Sequence, residues 1–123
     1  MTASMLGYLM AINAMCGEGM SVRSVDIADR LSVARASVCK ALDRLSENGL
    51  AVRDDNNRVR LTARGREAVA EYLPACDYVC RLIAEGLGIS GDRARREALT
   101  AVGALSADVV AKIKALAEEK RRS

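Results

Sequence analysis

The chain has no histidine, tryptophan or phenylalanine, and only three tyrosines and one proline among its 123 residues. It also lacks a phosphate-cradling glycine loop and any paired nucleophile and base, so the expectation is that the protein is not an enzyme. The shortage of aromatic rings removes the stacking platforms that hold single-stranded nucleic acid, and any nucleic-acid partner would be duplex. No apolar run approaches the length that a membrane-spanning helix needs, so no membrane partner is expected. The apolar start "MTASMLGYLMAINAMC" has no basic leader region, and Met5, Leu6, Leu9, Ile12 and Met15 recur at helical spacing. It reads as a first helix rather than a signal peptide. The expected compartment is then cytoplasmic, with Cys16, Cys39, Cys76 and Cys80 as thiols.

What is present is a chain of the size of one domain, or of a small domain with a helical appendage, large enough to bury a core. The net charge of +3 is mild, so its distribution carries more than its total. Between Leu31 and Arg66 stand eight basic residues (Arg35, Lys40, Arg44, Arg53, Arg58, Arg60, Arg64, Arg66) against four acids (Asp43, Glu47, Asp54, Asp55). This one segment has a larger basic excess than the whole chain.

Hydrophobic periodicity and capping signals predict a first helix over Ala3–Met15, stopped at Gly17 and Gly19. Ser24 is the expected N-cap of a second helix that buries Val25, Ile27, Ala28 and Leu31, with Asp26 in its first turn. The tripeptide "SVA" is a turn, and a third helix runs from Arg35 to Asn48 with Val38, Ala41, Leu42 and Leu45 inward and Gly49 as its stop. Its opposite face carries Arg35, Ser37, Lys40 and Arg44 over about 20 Å. Leu50, Val52, Val59 and Leu61 flank "RDDNNR", which predicts a two-stranded ribbon with a polar tip. A helix capped by Thr62 follows and is expected to end or kink at Pro74. The pattern resumes to Gly86 or Gly88, continues in a helix from about Gly91 to Gly103, and ends in one capped by Ser106 with Val109, Val110, Ile113 and Leu116 on one stripe.

Three helices followed by a hairpin is the order of a winged helix-turn-helix domain. The fold class is therefore mainly α, with a two-stranded β wing and a helical dimerisation domain after it; the division expected is residues 1–71 and 72–123. In such a domain the third helix enters the major groove and the wing reaches the neighbouring backbone. Ser37 and Lys40 suit base edges, lysine favouring guanine, while Arg35, Arg44, Arg53, Arg58 and Arg60 suit phosphates. The competing reading of each residue alone is a solvated surface charge. A rival for the whole chain is a protein-interaction module derived from a winged-helix regulator.

The segments "GYLMAIN", "VDIADRLSVARASVCKALDRLSENGLAV" and "VRLTARGREAV" resemble the metal-dependent repressors of the diphtheria toxin repressor and manganese transport regulator type. The resemblance covers nearly the whole chain and is most specific in the winged half. It implies a homodimer repressing palindromic operator DNA, switched in that family by iron or manganese, and it places Cys39 in the recognition helix, where it is an oxidisable candidate facing DNA. The chain is similar to the shorter members, having no counterpart of the SH3-like extension. The resemblance also implies metal ligands on the first helix, a histidine on the helix after the wing, and a Glu-x-x-(Glu or Cys)-His cluster on the next. Here Leu6 and Gly7 occupy the first region, Cys76 falls about where the histidine would be, and "REALTAVGALS" offers only Glu97. The family's oxygen and nitrogen site for manganese or iron cannot be assembled that way. Cys76 and Cys80, four apart on one helix face beside Asp77, form with Glu97 the remaining candidates for a soft metal or a thiol sensor; packing of small apolar thiols is the alternative.

Overall fold

The computed structural model describes residues 1–16 and 20–122. The elements run in the order α1 (Ala3–Met15), β1 (Val22–Arg23), α2 (Ser24–Leu31), α3 (Arg35–Glu47), β2 (Ala51–Arg53), β3 (Arg58–Leu61), α4 (Ala63–Leu87), α5 (Gly91–Ala104) and α6 (Ala107–Arg122). The fold is mainly helical with a small antiparallel sheet. The expected stop at Gly17 and Gly19 lies outside the described residues.

Two compact units share these elements: Gly7–Val69, and Met1–Leu6 together with Ala70–Ser123. The first is the winged unit. Leu9, Ile12, Ile27, Val38, Leu42, Leu45 and Val59 are its most deeply buried side chains. The four inward positions expected on α3 are its four buried residues. On α2 only Ile27 and Ala28 are fully buried, while Val25 and Leu31 are half-buried.

The sheet has three strands rather than two, in the order β1-β3-β2. Ala51, Val52 and Arg53 pair with Leu61, Arg60 and Val59, and the added strand sets Val22 against Val59 and Arg23 against Arg58. A strand of two residues is too short to show alternation, so only its partner reveals it. Val52 is exposed although Leu50, two residues before it, is buried. The reason is local. Leu50 belongs to the end of α3, where Gly49 at φ +72° lets the Gly49 and Leu50 amides donate to Ser46 and Leu45 carbonyls at 2.9 Å each. Strand alternation therefore starts at Ala51, which is buried.

Ser24 is not a cap. It is the first residue of α2, the cap position is Arg23, and no side chain bonds the helix end; the Ser24 amide instead donates to the Asn57 carbonyl at 3.2 Å. Thr62 does cap α4: its Oγ1 accepts the Gly65 amide at 3.0 Å.

α4 is one helix of 25 residues that continues through Pro74. An internal proline costs about 3 kcal/mol in lost bonding and strain. Burial of Val69, Ala75, Cys76 and Cys80 on either side offsets that, since each methyl or methylene group taken out of water is worth about 0.8 kcal/mol. Gly88, at φ +66°, follows its end.

In the second unit Cys80, Ala94 and Ala98 form a small core with Val79, Ile83, Ala84 and Ile89 packed on it. Ion pairs join Arg95 to Asp77 at 2.6 Å and Lys114 to Glu71 at 3.2 Å. Ser106 precedes α6, and its hydroxyl donates to Asp108 at 2.7 Å, which holds that carboxyl below its ordinary range. The expected stripe on α6 divides: Val110 is buried and Ile113 half-buried, whereas Val109 and Leu116 are exposed.

Candidate nucleic-acid interface

The turn between α2 and α3 is set by Ser32, whose left-handed backbone at φ 54° directs the Ser32 and Val33 amides back to the carbonyls of Asp29 and Ala28. Ala34 then opens α3 without any side-chain cap bond or acidic residue in the first turn. The apolar face of α3 is buried, which fixes what its other face must present. Arg35, Ser37, Lys40 and Arg44 are exposed or lie at the edge of that outer face, and Cys39, between the two faces, is half-buried. Ser37, Lys40 and Arg44 follow one another at the three- and four-residue intervals of a single helix face.

The wing follows the C-terminal end of this helix. Its tip is an Asp-closed turn: Asp54 Oδ1 accepts the amides of Asn56 and Arg58 at 2.8 and 3.0 Å, and Asn57 takes φ 59°, a conformation that asparagine tolerates better than most side chains. Exposed and buried residues alternate along β3, so Arg58 and Arg60 face outward while Val59 and Leu61 face the core.

The basic residues of the site fall into two groups. Arg53 Nη2 donates to Asp43 Oδ1 of α3 at 2.5 Å, and Arg58 donates to the hydroxyl and the carbonyl of Ser21 at 2.9 and 3.4 Å. Both arginines are engaged with the protein and brace the wing. Arg35, Lys40, Arg44 and Arg60 make no side-chain bond within the described residues, and their charge is available to a partner. The pairing of β1 brings one further cation to the wing that sequence reasoning missed: Arg23, directly across from Arg58 and paired with Asp26 at 3.3 Å. Like charges set opposite each other across strands repel, and the neighbouring carboxylate and Ser21 relieve it.

The joint between α3 and α4 explains the motif "LTARG". The Leu50 carbonyl accepts the Thr62 amide at 3.1 Å, and Thr62 Oγ1 donates to the Gly49 carbonyl at 2.6 Å. A Cβ on Gly65 would lie only 2.0 Å from the Leu50 oxygen. Glycine is thus required where α4 crosses the end of the third helix, and the crossing fixes the wing's two strands beside it.

Residues 1–56 match the model of the iron dependent repressor, N-terminal DNA binding domain. No curated protein matches the sequence. Among solved structures the fold is similar to the hypothetical protein SSo2273 from Sulfolobus solfataricus, with a TM-score of 0.67 and 20% identity over 97% of this chain and 91% of that one. It is also similar to T. acidophilum IdeR, with a TM-score of 0.65 and 22% identity over 86% of this chain, and to the manganese regulator SloR, with 0.75 and 18% over 93%. The chain spans 50% of the length of that IdeR chain and 53% of SloR.

The ligand chemistry of a repressor switched by iron or manganese does not fit the residues here. Leu6 is fully buried. Cys76 is fully buried, and burial pushes its thiol up to about 11. Cys80 belongs to the Ala94 and Ala98 core, Glu97 is exposed on α5, and Asp77 is committed to Arg95. Among the described residues no three histidine, cysteine, aspartate or glutamate side chains are grouped to hold a metal ion. Burial keeps the Cys76 thiol neutral at physiological pH, which disfavours both thiolate ligation and redox attack. No described helix is long and apolar enough to cross a membrane.

Proposed function

We propose that the protein is a transcriptional repressor that binds palindromic duplex DNA as a homodimer, with α3 in the major groove and the wing on the adjacent backbone. The observation that carries this reading is the set of cations without a side-chain bond among the described residues, Arg35, Lys40, Arg44 and Arg60, on a helix and a strand whose other faces are buried. Lys40 and Ser37 read base edges, with Cys39 beside them at the groove floor. Arg35, Arg44 and Arg60 take phosphates, and Arg53 and Arg58 set the wing while adding positive potential.

The second unit supplies the dimer contact. Leu82 and Leu87 on α4, Leu105, and Val109 and Leu116 on α6 are all exposed. A second copy covering these side chains would remove them from water and set two recognition helices about 34 Å apart, one turn of duplex.

Sedimentation and footprinting test the proposal together. The expected outcome is a dimer in solution and a two-fold symmetric footprint with protected centres one helical turn apart. A monomeric protein with a single asymmetric footprint would overturn the dimer and the palindrome.

A further inference from the structure

The switch that the family resemblance implies is a metal held by the first helix, the helix after the wing and the next one, and the residues for it are missing. The same three helices are nevertheless joined within the second unit by other means. α4 and α5 meet through the Cys80, Ala94 and Ala98 core and the Asp77–Arg95 pair. α1 meets α5 through its backbone. A Cβ on Gly103 would lie 2.7 Å from the Ala3 nitrogen, 2.8 Å from its Cα and 3.2 Å from the Thr2 carbonyl carbon. Real Cβ atoms do not approach backbone so closely, so the first turn of α1 is seated on α5 at a place only glycine allows.

That turn is also well formed. Thr2 Oγ1 accepts the Met5 amide at 3.2 Å, and the Thr2 carbonyl accepts the Leu6 amide at 3.0 Å. α1 then continues past Leu6 and contributes Tyr8, Leu9, Ala11 and Ile12 to the buried residues of the winged unit. One helix therefore begins in the second unit and ends in the DNA-binding one.

We infer that the seating of Thr2 and Ala3 on Gly103 is a metal-free clasp that fixes the first turn of α1, and that DNA binding consequently needs no divalent metal. Gly103 is a positioning residue, acting through α1 rather than touching DNA. The inference rests on the repressor reading above and differs from it in placing no ion in the cycle: the contact that an effector would make is built permanently into the fold.

The test uses the full chain with its own upstream duplex DNA, in chelator and then with manganese, iron(II) or zinc, for the wild type, Gly103→Ala and Gly86→Ala. Gly86 is a helical glycine with nothing within 4 Å of the position an added methyl would take, so it controls for the change of residue type. The wild type and Gly86→Ala should bind equally well with and without metal. Gly103→Ala should lose at least about tenfold in affinity, unrecovered by metal, while keeping its helical circular dichroism. Native-state hydrogen exchange gives a readout that general destabilisation would not: in Gly103→Ala the Met5 and Leu6 amides should lose protection while those of α3 keep theirs. Binding that appears only with metal would overturn the inference and leave the repressor reading standing. Unchanged protection at Met5 and Leu6 in Gly103→Ala would overturn the clasp. A wild type that binds no DNA in any condition would overturn the proposed function itself.

Discussion

Gly65→Ala places one methyl group where the joint between the recognition helix and α4 has no room for it. The new Cβ would stand 2.0 Å from the Leu50 carbonyl oxygen, and ordinary contact begins at 3.4 Å; backbone must give by about 1.4 Å. The Leu50 oxygen cannot retreat freely, since it accepts the Thr62 amide and its residue completes the end of α3. Overpacking of this kind costs about 1–3 kcal/mol, and a weakened backbone bond adds about 1 kcal/mol. Alanine recovers up to about 1 kcal/mol through helix propensity. The net is about 1–3 kcal/mol, which for a chain of this size lowers Tm by about 4–12 °C. Calorimetric melting of Gly65→Ala beside Gly86→Ala measures it, because the second variant carries the same propensity gain without the clash. DNA affinity should fall with the first variant and not with the second. If Gly65→Ala melted with the wild type, the Leu50–Gly65 crossing would not be the element that holds the wing against α3, and the explanation of "LTARG" would be wrong.

Lys40→Ala should relax sequence preference by about 1–3 kcal/mol at one base position, whereas Arg60→Ala should weaken all sequences alike and make the salt dependence shallower by about one unit per site; binding of a panel of duplexes at several salt concentrations separates the two. Arg58→Ala should cost less affinity than Arg60→Ala, since its guanidinium is already held by Ser21; direct titration of the two variants decides this. The Cys76 thiol, raised by burial from 9.0 to about 11, favours the fold while neutral. Its contribution is complete below pH 9 and is lost as pH rises towards 11, where unfolded chains have released a proton that the native state still holds. Allowing for solvent screening, the loss across that window is about 1–2 kcal/mol, so denaturation midpoints should fall in the wild type and fall less in Cys76→Ala.

Much of the winged unit is legible in the sequence because its elements are local. The 3.6-residue period of α3 names all four of its buried positions, and Gly49, Thr62 and Gly88 mark helix ends through backbone chemistry that depends on few neighbours. What is not legible depends on distant partners. β1 exists only because Val59 and Arg58 are there to receive Val22 and Arg23, and with it comes Arg23 as a wing cation. Pro74 reads as a break because propensity sees the lost bond and not the residues buried on both sides of it. The charge pattern places a basic set on α3 and the wing, but which of those cations are spoken for, Arg53 by Asp43 and Arg58 by Ser21, emerges only from the fold. Gly103 carries no motif at all; its significance lies in the backbone of Ala3, remote in the chain and adjacent in space.

DNA recognition by this face is tested most directly by a salt titration of binding, read by fluorescence anisotropy on the upstream duplex in the presence of chelator. With Arg35, Arg44 and Arg60 of each protomer on phosphates, the plot of log K against log salt should be linear with a slope of about −5, and adding manganese or iron(II) should leave it unchanged. Affinity that does not respond to salt would contradict a DNA-binding face built from these cations.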